Sequence, residues 1–153
     1  MISHLIVSGE NHAMLTSACG QLVENTLAGA AHIIDRNGVG VTHRSREGYE
    51  LDVDILSSLV SGNVATANAL ASLIGEEEFG TQIHQGNSGS FLVTPLGNRL
   101  ILIVWFDEHS SSGLVKLAAK QVLDTLSATL QDIERMSGSG TSMTFDDSKT
   151  QSS

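Results

Sequence analysis

The stretch Ile55-Leu-Ser-Ser-Leu-Val-Ser-Gly-Asn-Val-Ala-Thr-Ala-Asn-Ala-Leu-Ala-Ser-Leu-Ile-Gly75 lies between Asp54 and Glu76 and carries no charge. Its apolar residues recur at helical spacing. Ile55, Leu56, Leu59, Val60, Val64, Ala67, Leu70, Ala71, Leu73 and Ile74 gather on one broad arc, predicted to face the protein's own core. The opposite arc holds Ser58, Ser61, Gly62, Ala65, Asn68, Ala69 and Ser72. A helix face turned to water normally carries Lys and Glu. This one carries small residues at steps of three and four, which let another backbone come close. The spacing therefore predicts a helix with a contact surface for another chain, the competing reading being a helix internal to the domain. A membrane span needs about 20 predominantly apolar residues. Four serines, two asparagines and no flanking basic cluster argue against one here.

On the N-terminal side, Ser8 is a candidate cap for a helix over 9–27, with Met14, Leu15, Ala18, Leu22 and Val23 inward. Ala30-Ala-His-Ile-Ile-Asp35 reads as a strand. Asp35-Arg-Asn-Gly38 reads as a hairpin turn, because Asn-Gly tolerates the positive φ that tight hairpins need. Val39 to His43 is the returning strand, and 44–51 a charged loop. The uncharged helix spans 53–73, with Asp52 or Asp54 favourable at its start. On the C-terminal side, strands are expected at 80–85, 90–94 and 99–106, with turns at 86–89 and 95–98. Arg99-Leu-Ile-Leu-Ile-Val-Trp-Phe106 is a near-continuous apolar run, predicted to be buried on both faces in the middle of the sheet. After a loop and N-cap at 107–113, a final helix is expected to run to about Arg135, with Leu114, Leu117, Ala118, Val122, Leu126 and Leu130 inward. The order α-β-β-α-β-β-β-α predicts an α+β fold, a five-stranded antiparallel meander with helices packed on it. Residues 1–136 form the domain. Residues 137–153 are too rich in Ser, Gly, Thr and Asp to build a core and read as a mobile tail, with one patch of binding potential at Met143-Thr-Phe-Asp-Asp147.

The chain has 153 residues and a net charge of −9, which argues against nucleic acid and anionic membranes as partners. The single cysteine, Cys19, excludes an internal disulfide and is expected to be a buried structural thiol. The N-terminus lacks the pattern of a signal peptide, so the expected location is the cytoplasm. The six histidines are dispersed, at His4, His12, His32, His43, His84 and His109. No metal, cofactor or catalytic constellation is predicted. Asp107-Glu-His-Ser-Ser holds residue types used in hydrolases, but they are adjacent in sequence, and a helix N-cap accounts for Ser110 to Ser112. Asn63 reads as a structural amide and Asn68 as a contact across an interface.

Asp35-Arg-Asn-Gly38 after a short strand, Leu59-Val-Ser-Gly-Asn-Val-Ala65, Leu70-Ala-Ser-Leu-Ile-Gly75, Pro95-Leu-Gly-Asn-Arg99 and Ser112-Gly-Leu-Val-Lys116 resemble the Roadblock (dynein light-chain) family over roughly residues 10–135. The likeness is strongest to its bacterial gliding-motility and cell-polarity branch. The resemblance implies homodimers whose third strands, here about 80–85, pair edge to edge, with the second helices side by side. It implies that this helix face binds one MglA-like Ras-family GTPase per dimer in the GTP state. It also implies activation of GTP hydrolysis by remodelling the GTPase switch regions, with no inserted arginine, and recruitment to a cell pole. Ala65 and Ala69 match the positions that meet the GTPase, with Ser58, Ser61, Gly62, Asn68 and Ser72 around them. Which of these face the sister helix stays open. The alternative is a scaffold of the same fold that binds without activating. Residues 137–153 do not match the C-terminal extensions of the relatives, so nucleotide exchange is not carried over.

Overall fold

Strand β5 (Leu100–Phe106) is the axis of the molecule. The computed structural model describes residues 4–142. Before β5 come α1 (Gly9–Thr26), β1 (Ala30–Asp35), β2 (Gly40–Ser45), α2 (Val53–Leu73), β3 (Gln82–Gln85) and β4 (Ser90–Leu96). After it come α3 (Ser112–Thr125) and α4 (Ser127–Ser142). The strands form one antiparallel sheet in the order β2-β1-β5-β4-β3. β5 lies between β1 and β4, in the position its apolar run demands. Its side chains divide between two cores. Leu100, Leu102, Val104 and Phe106 join Leu15, Leu22, Val115, Val122, Leu126 and Ile133 on the side covered by α1, α3 and α4. Ile101 and Ile103 join Ile34, Val93 and Leu56 on the side covered by α2. A strand apolar on both faces is what two covered faces require.

The helix starts follow the expected chemistry. Ser8, Asp52 and Ser111 are the N-caps of α1, α2 and α3, and their side chains accept from the backbone N–H groups of Asn11, Ile55 and Leu114. Between β1 and β2, Asp35 accepts from the N–H of Gly38, which takes the positive φ that the turn requires (94°). Pro95 lies inside β4, opposite Ile101, and not in a turn. A proline is tolerated there because the β3–β4 ladder ends at Gln82 and Val93, leaving no bond to lose on that side.

Three helical faces differ from expectation. Met14 is exposed, and Asn11 takes the inward position, donating to Asp132 Oδ2 at 2.8 Å. On α3, Leu114 and Leu117 are exposed and Val115 and Ala119 are buried, so the inward stripe is turned relative to the predicted one. The final helix breaks at Leu126 (φ −90°, ψ 6°), which lets α4 cross the end of the sheet and bury Leu126 and Ile133. α4 then continues past residue 136, where the tail was expected to begin. Its Ser137 is buried and its hydroxyl accepts from the Ile6 N–H at 2.8 Å. The Met143–Asp147 patch lies outside the described residues.

Cys19 is buried in α1, and desolvation pushes its thiol up to about 12. His32 is 2% exposed, stacks on His43 with ring centroids 4.9 Å apart, and among the described residues neither ring nitrogen has a hydrogen-bond partner. Burial, and secondarily His43, lower its pKa to about 4, so the ring is neutral.

Candidate functional site

Helix α2 is seated by its first turn and its middle. A Cβ on Gly40 would lie 2.4 Å from Val53 Cγ1, so glycine is what lets the start of α2 approach β2. Further along, the Ser61 hydroxyl donates to the Arg36 carbonyl at 2.6 Å and its Cβ packs over Gly38. The residues that turn inward are Leu56, Ser57, Ala67 and Ala71, with Val60 and Val64 packed at the edge of the core.

This stripe is narrower than the predicted apolar arc. The helical spacing predicts Ile55, Leu59, Leu70, Leu73 and Ile74 to face the core. They are exposed, Leu59 at 68% and Leu73 at 81%. The physical reason is geometric. A helix lying on a sheet presents only one side to it, and an apolar arc wider than that contact must spill over its flank. The outer surface of α2 thus has two strips. One is a row of large apolar side chains, Ile55, Leu59, Leu70 and Leu73. The other is a row of small ones, Ser58, Gly62, Ala65 and Ala69, all exposed. Ser72 is exposed beside them. Ser61 and Asn68 are half-buried on the hairpin side, and Ser61 spends its hydroxyl within the fold. Asn63 is exposed. No Lys or Arg occurs between Val53 and Gly75, and the nearby Arg36 is held by Glu78 at 3.1 Å. Periodicity in the sequence found the helix and the small strip. It missed that the large strip is also free.

The other place with chemistry-bearing residues resolves as a brace. The Tyr49 hydroxyl donates to Asp107 Oδ2 at 2.5 Å, and Asp107 Oδ1 meets the His109 backbone N–H at 3.0 Å and Nδ1 at 2.9 Å. The Tyr49 hydroxyl, followed by the His109 N–H, holds the Asp107 carboxyl down to about 2, and the same bond raises the Tyr49 pKa. The Tyr49 ring sits edge-on to Trp105 at 5.0 Å and against Gly29. The group ties the 46–51 loop to the end of β5. Among the described residues, the Ser110 hydroxyl makes no hydrogen bond. Among the described residues, no three His, Cys, Asp or Glu side chains gather as a metal site, and no helix is long and apolar enough to cross a membrane.

The Roadblock/LC7 domain model matches residues 28–106, from the end of α1 through β5. The chain belongs to the Roadblock/LC7 family. Solved structures agree with this Roadblock fold. The gliding protein MglB from Thermus thermophilus is 29% identical, with 86% of this chain and 99% of that one covered, at a TM-score of 0.78. Myxococcus xanthus MglB is 33% identical, covering 84% of this chain and 96% of that one, at 0.77. A third structure, MglB with tetrameric arrangement, is 28% identical, covering 87% and 99%, at 0.79. No curated protein matches the chain. Among the described residues, the two-strip outer face of α2 is exposed and β3 is an edge strand of the sheet.

Proposed function

We propose that this chain is a homodimeric regulator of an MglA-like Ras-family GTPase, acting in the cytoplasm on cell polarity or motility as a GTPase-activating protein. The observation that carries the reading is the uncharged outer face of α2, with its large and small strips on different flanks. Two strips suit two neighbours. The large apolar row, Leu59 and Leu73 foremost, buries against the sister α2 in the dimer. The small row, with Ala65 and Ala69 at its centre and Ser58, Gly62 and Ser72 around them, admits the GTPase backbone closely. The likeness to MglB structures supports the reading as a regulator of this kind.

A face without Lys or Arg has no side chain to neutralise charge on a transferring phosphoryl group. Activation therefore acts by remodelling the GTPase switch regions until the GTPase's own residues align, with one GTPase bound per dimer in the GTP state. The test is single-turnover GTP hydrolysis by the MglA-like GTPase of the same genome, with and without this protein at saturation. Acceleration of tenfold or more supports activation. Binding without acceleration selects the non-activating scaffold. Absence of binding in both nucleotide states would sink both readings.

A further inference from the structure

The large apolar row on α2 is interrupted at its middle. Between Leu59 and Leu70, the residues that continue their spacing are Asn63 and Thr66. Steps of four, three and four put all four residues on one flank of the helix. Asn63 and Thr66 are exposed, and neither side chain makes a hydrogen bond among the described residues. The row therefore has the same order from either end: large apolar residues, one polar residue, one polar residue, large apolar residues. The direction of this flank is fixed by its opposite. Ser57 lies against Gly40, and the Ser61 hydroxyl reaches the Arg36 carbonyl, so that side of α2 looks toward the β1–β2 hairpin. The row is on the other side, toward β3, at the far edge of the sheet. A chain that covers the row also meets that edge.

We propose that the row pairs antiparallel with the same row of a second copy, and that Asn63 and Thr66 form a polar layer at the two-fold axis that sets the register. The inference rests on the homodimer reading above and adds its alignment. A two-fold contact requires that if one residue meets another, the second also meets the first. The row satisfies this about its midpoint. Leu59 lies against the second copy's Leu70, Asn63 against its Thr66, and Ile55 against the end that carries Leu73 and Ile74. The Asn63 amide donates to the second copy's Thr66 hydroxyl, twice by symmetry. A slipped register places Asn63 against leucine and leaves its amide buried without a partner, which costs about 1–3 kcal/mol per group. One polar position in an apolar helix seam fixes register in this way, at some cost in stability. Such a device is needed here, because the four-residue strand Gln82-Ile-His-Gln85 specifies its own register weakly.

Engineered cysteines test the register, because Cys19 is buried with its thiol pushed up to about 12. Full-length Leu59→Cys and a differently tagged full-length Leu70→Cys are mixed under mild oxidant, with circular dichroism confirming that both are folded. The expected disulfide carries both tags. Neither variant links to itself, because equal-numbered residues lie about 16 Å apart along an antiparallel seam. When Asn63→Leu and Thr66→Val are added, the dimer persists and self-linked products rise by at least about tenfold. A second measurement needs no cysteine. Asn63→Leu alone lowers the dimer's dissociation constant at least about tenfold in sedimentation at increasing dilution, since it buries apolar surface in place of an amide. Self-linking of Leu59→Cys in the otherwise unaltered protein would overturn the antiparallel pairing. A register unchanged by Asn63→Leu and Thr66→Val would overturn the polar layer, and a dissociation constant indifferent to Asn63→Leu would overturn its burial. An unaltered protein that sediments as a monomer would overturn the homodimer reading itself, which separates the two failures.

Discussion

At the scale of single residues, His32 is the group whose chemistry the fold changes most. Its ring is buried and stacked on His43, with no hydrogen-bond partner for either nitrogen among the described residues. Burial lowers its pKa from 6.5 to about 4. The unfolded chain therefore binds a proton that the folded one refuses between those values, and stability falls as pH drops through that window. The loss is on the order of 2 kcal/mol by pH 4.5. Urea midpoints at pH 7.0 and 4.5 measure it. His32→Leu should lose distinctly less on acidification than the parent, since it has no ring to protonate. Equal losses in the two proteins would show that His32 is not the origin. Nothing in the sequence marked this histidine. Ala30-Ala-His-Ile-Ile-Asp35 reads as a strand with one polar position, and burial of that position comes from neighbours distant in sequence, the His43 ring and strand β5 among them.

At the scale of elements, the long uncharged helix makes the sharpest prediction, because its two strips should fail differently. Ala65→Arg or Ala69→Arg places a long charged side chain where small residues allow close approach, and burying it unpaired costs several kcal/mol. The dimer should survive on a sizing column with light scattering, and GTPase binding should be lost by a hundredfold or more. Leu59→Arg strikes the other strip and should yield a monomer. If Ala65→Arg is monomeric and Leu59→Arg dimeric, the strips are assigned the wrong way round. The sequence placed α2 at its observed bounds and offered Asp52 or Asp54 at its start, of which Asp52 is the N-cap, because a first-turn carboxylate and a helical period are local signals. It overstated the core-facing arc, because periodicity reports which residues share a side and not how much of that side a sheet can cover. The rotation of α3, with Leu114 and Leu117 outward, was hidden for the same reason. The break at Leu126 has no glycine or proline to announce it. The continuation of α4 through Ser137 depends on a bond to Ile6, 131 positions away in sequence.

At the scale of the whole molecule, stability should depend on protein concentration. An isolated copy leaves Ile55, Leu59, Leu70, Leu73 and Ile74 in water on one helix, and leaves β3 as an unpaired edge strand of four residues. Fully burying a side chain of this size gains about 1.5–3 kcal/mol relative to exposure. Burying several of them from each copy offsets the cost of associating two copies, which is about 4–15 kcal/mol. That arrangement couples folding to dimerisation, and mass action then raises Tm with concentration. For a dimer of two such chains, a tenfold increase is worth about 1.4 kcal/mol and shifts Tm by about 2 °C. Thermal melts from 1 to 100 μM should thus rise by about 4 °C, and Leu59→Arg should melt lower and lose the dependence. A parent protein that melts at one temperature across that range, and sediments as a monomer, would mean that α2's outer face is held in water, and the paired-helix arrangement on which the proposed function rests would have to be abandoned.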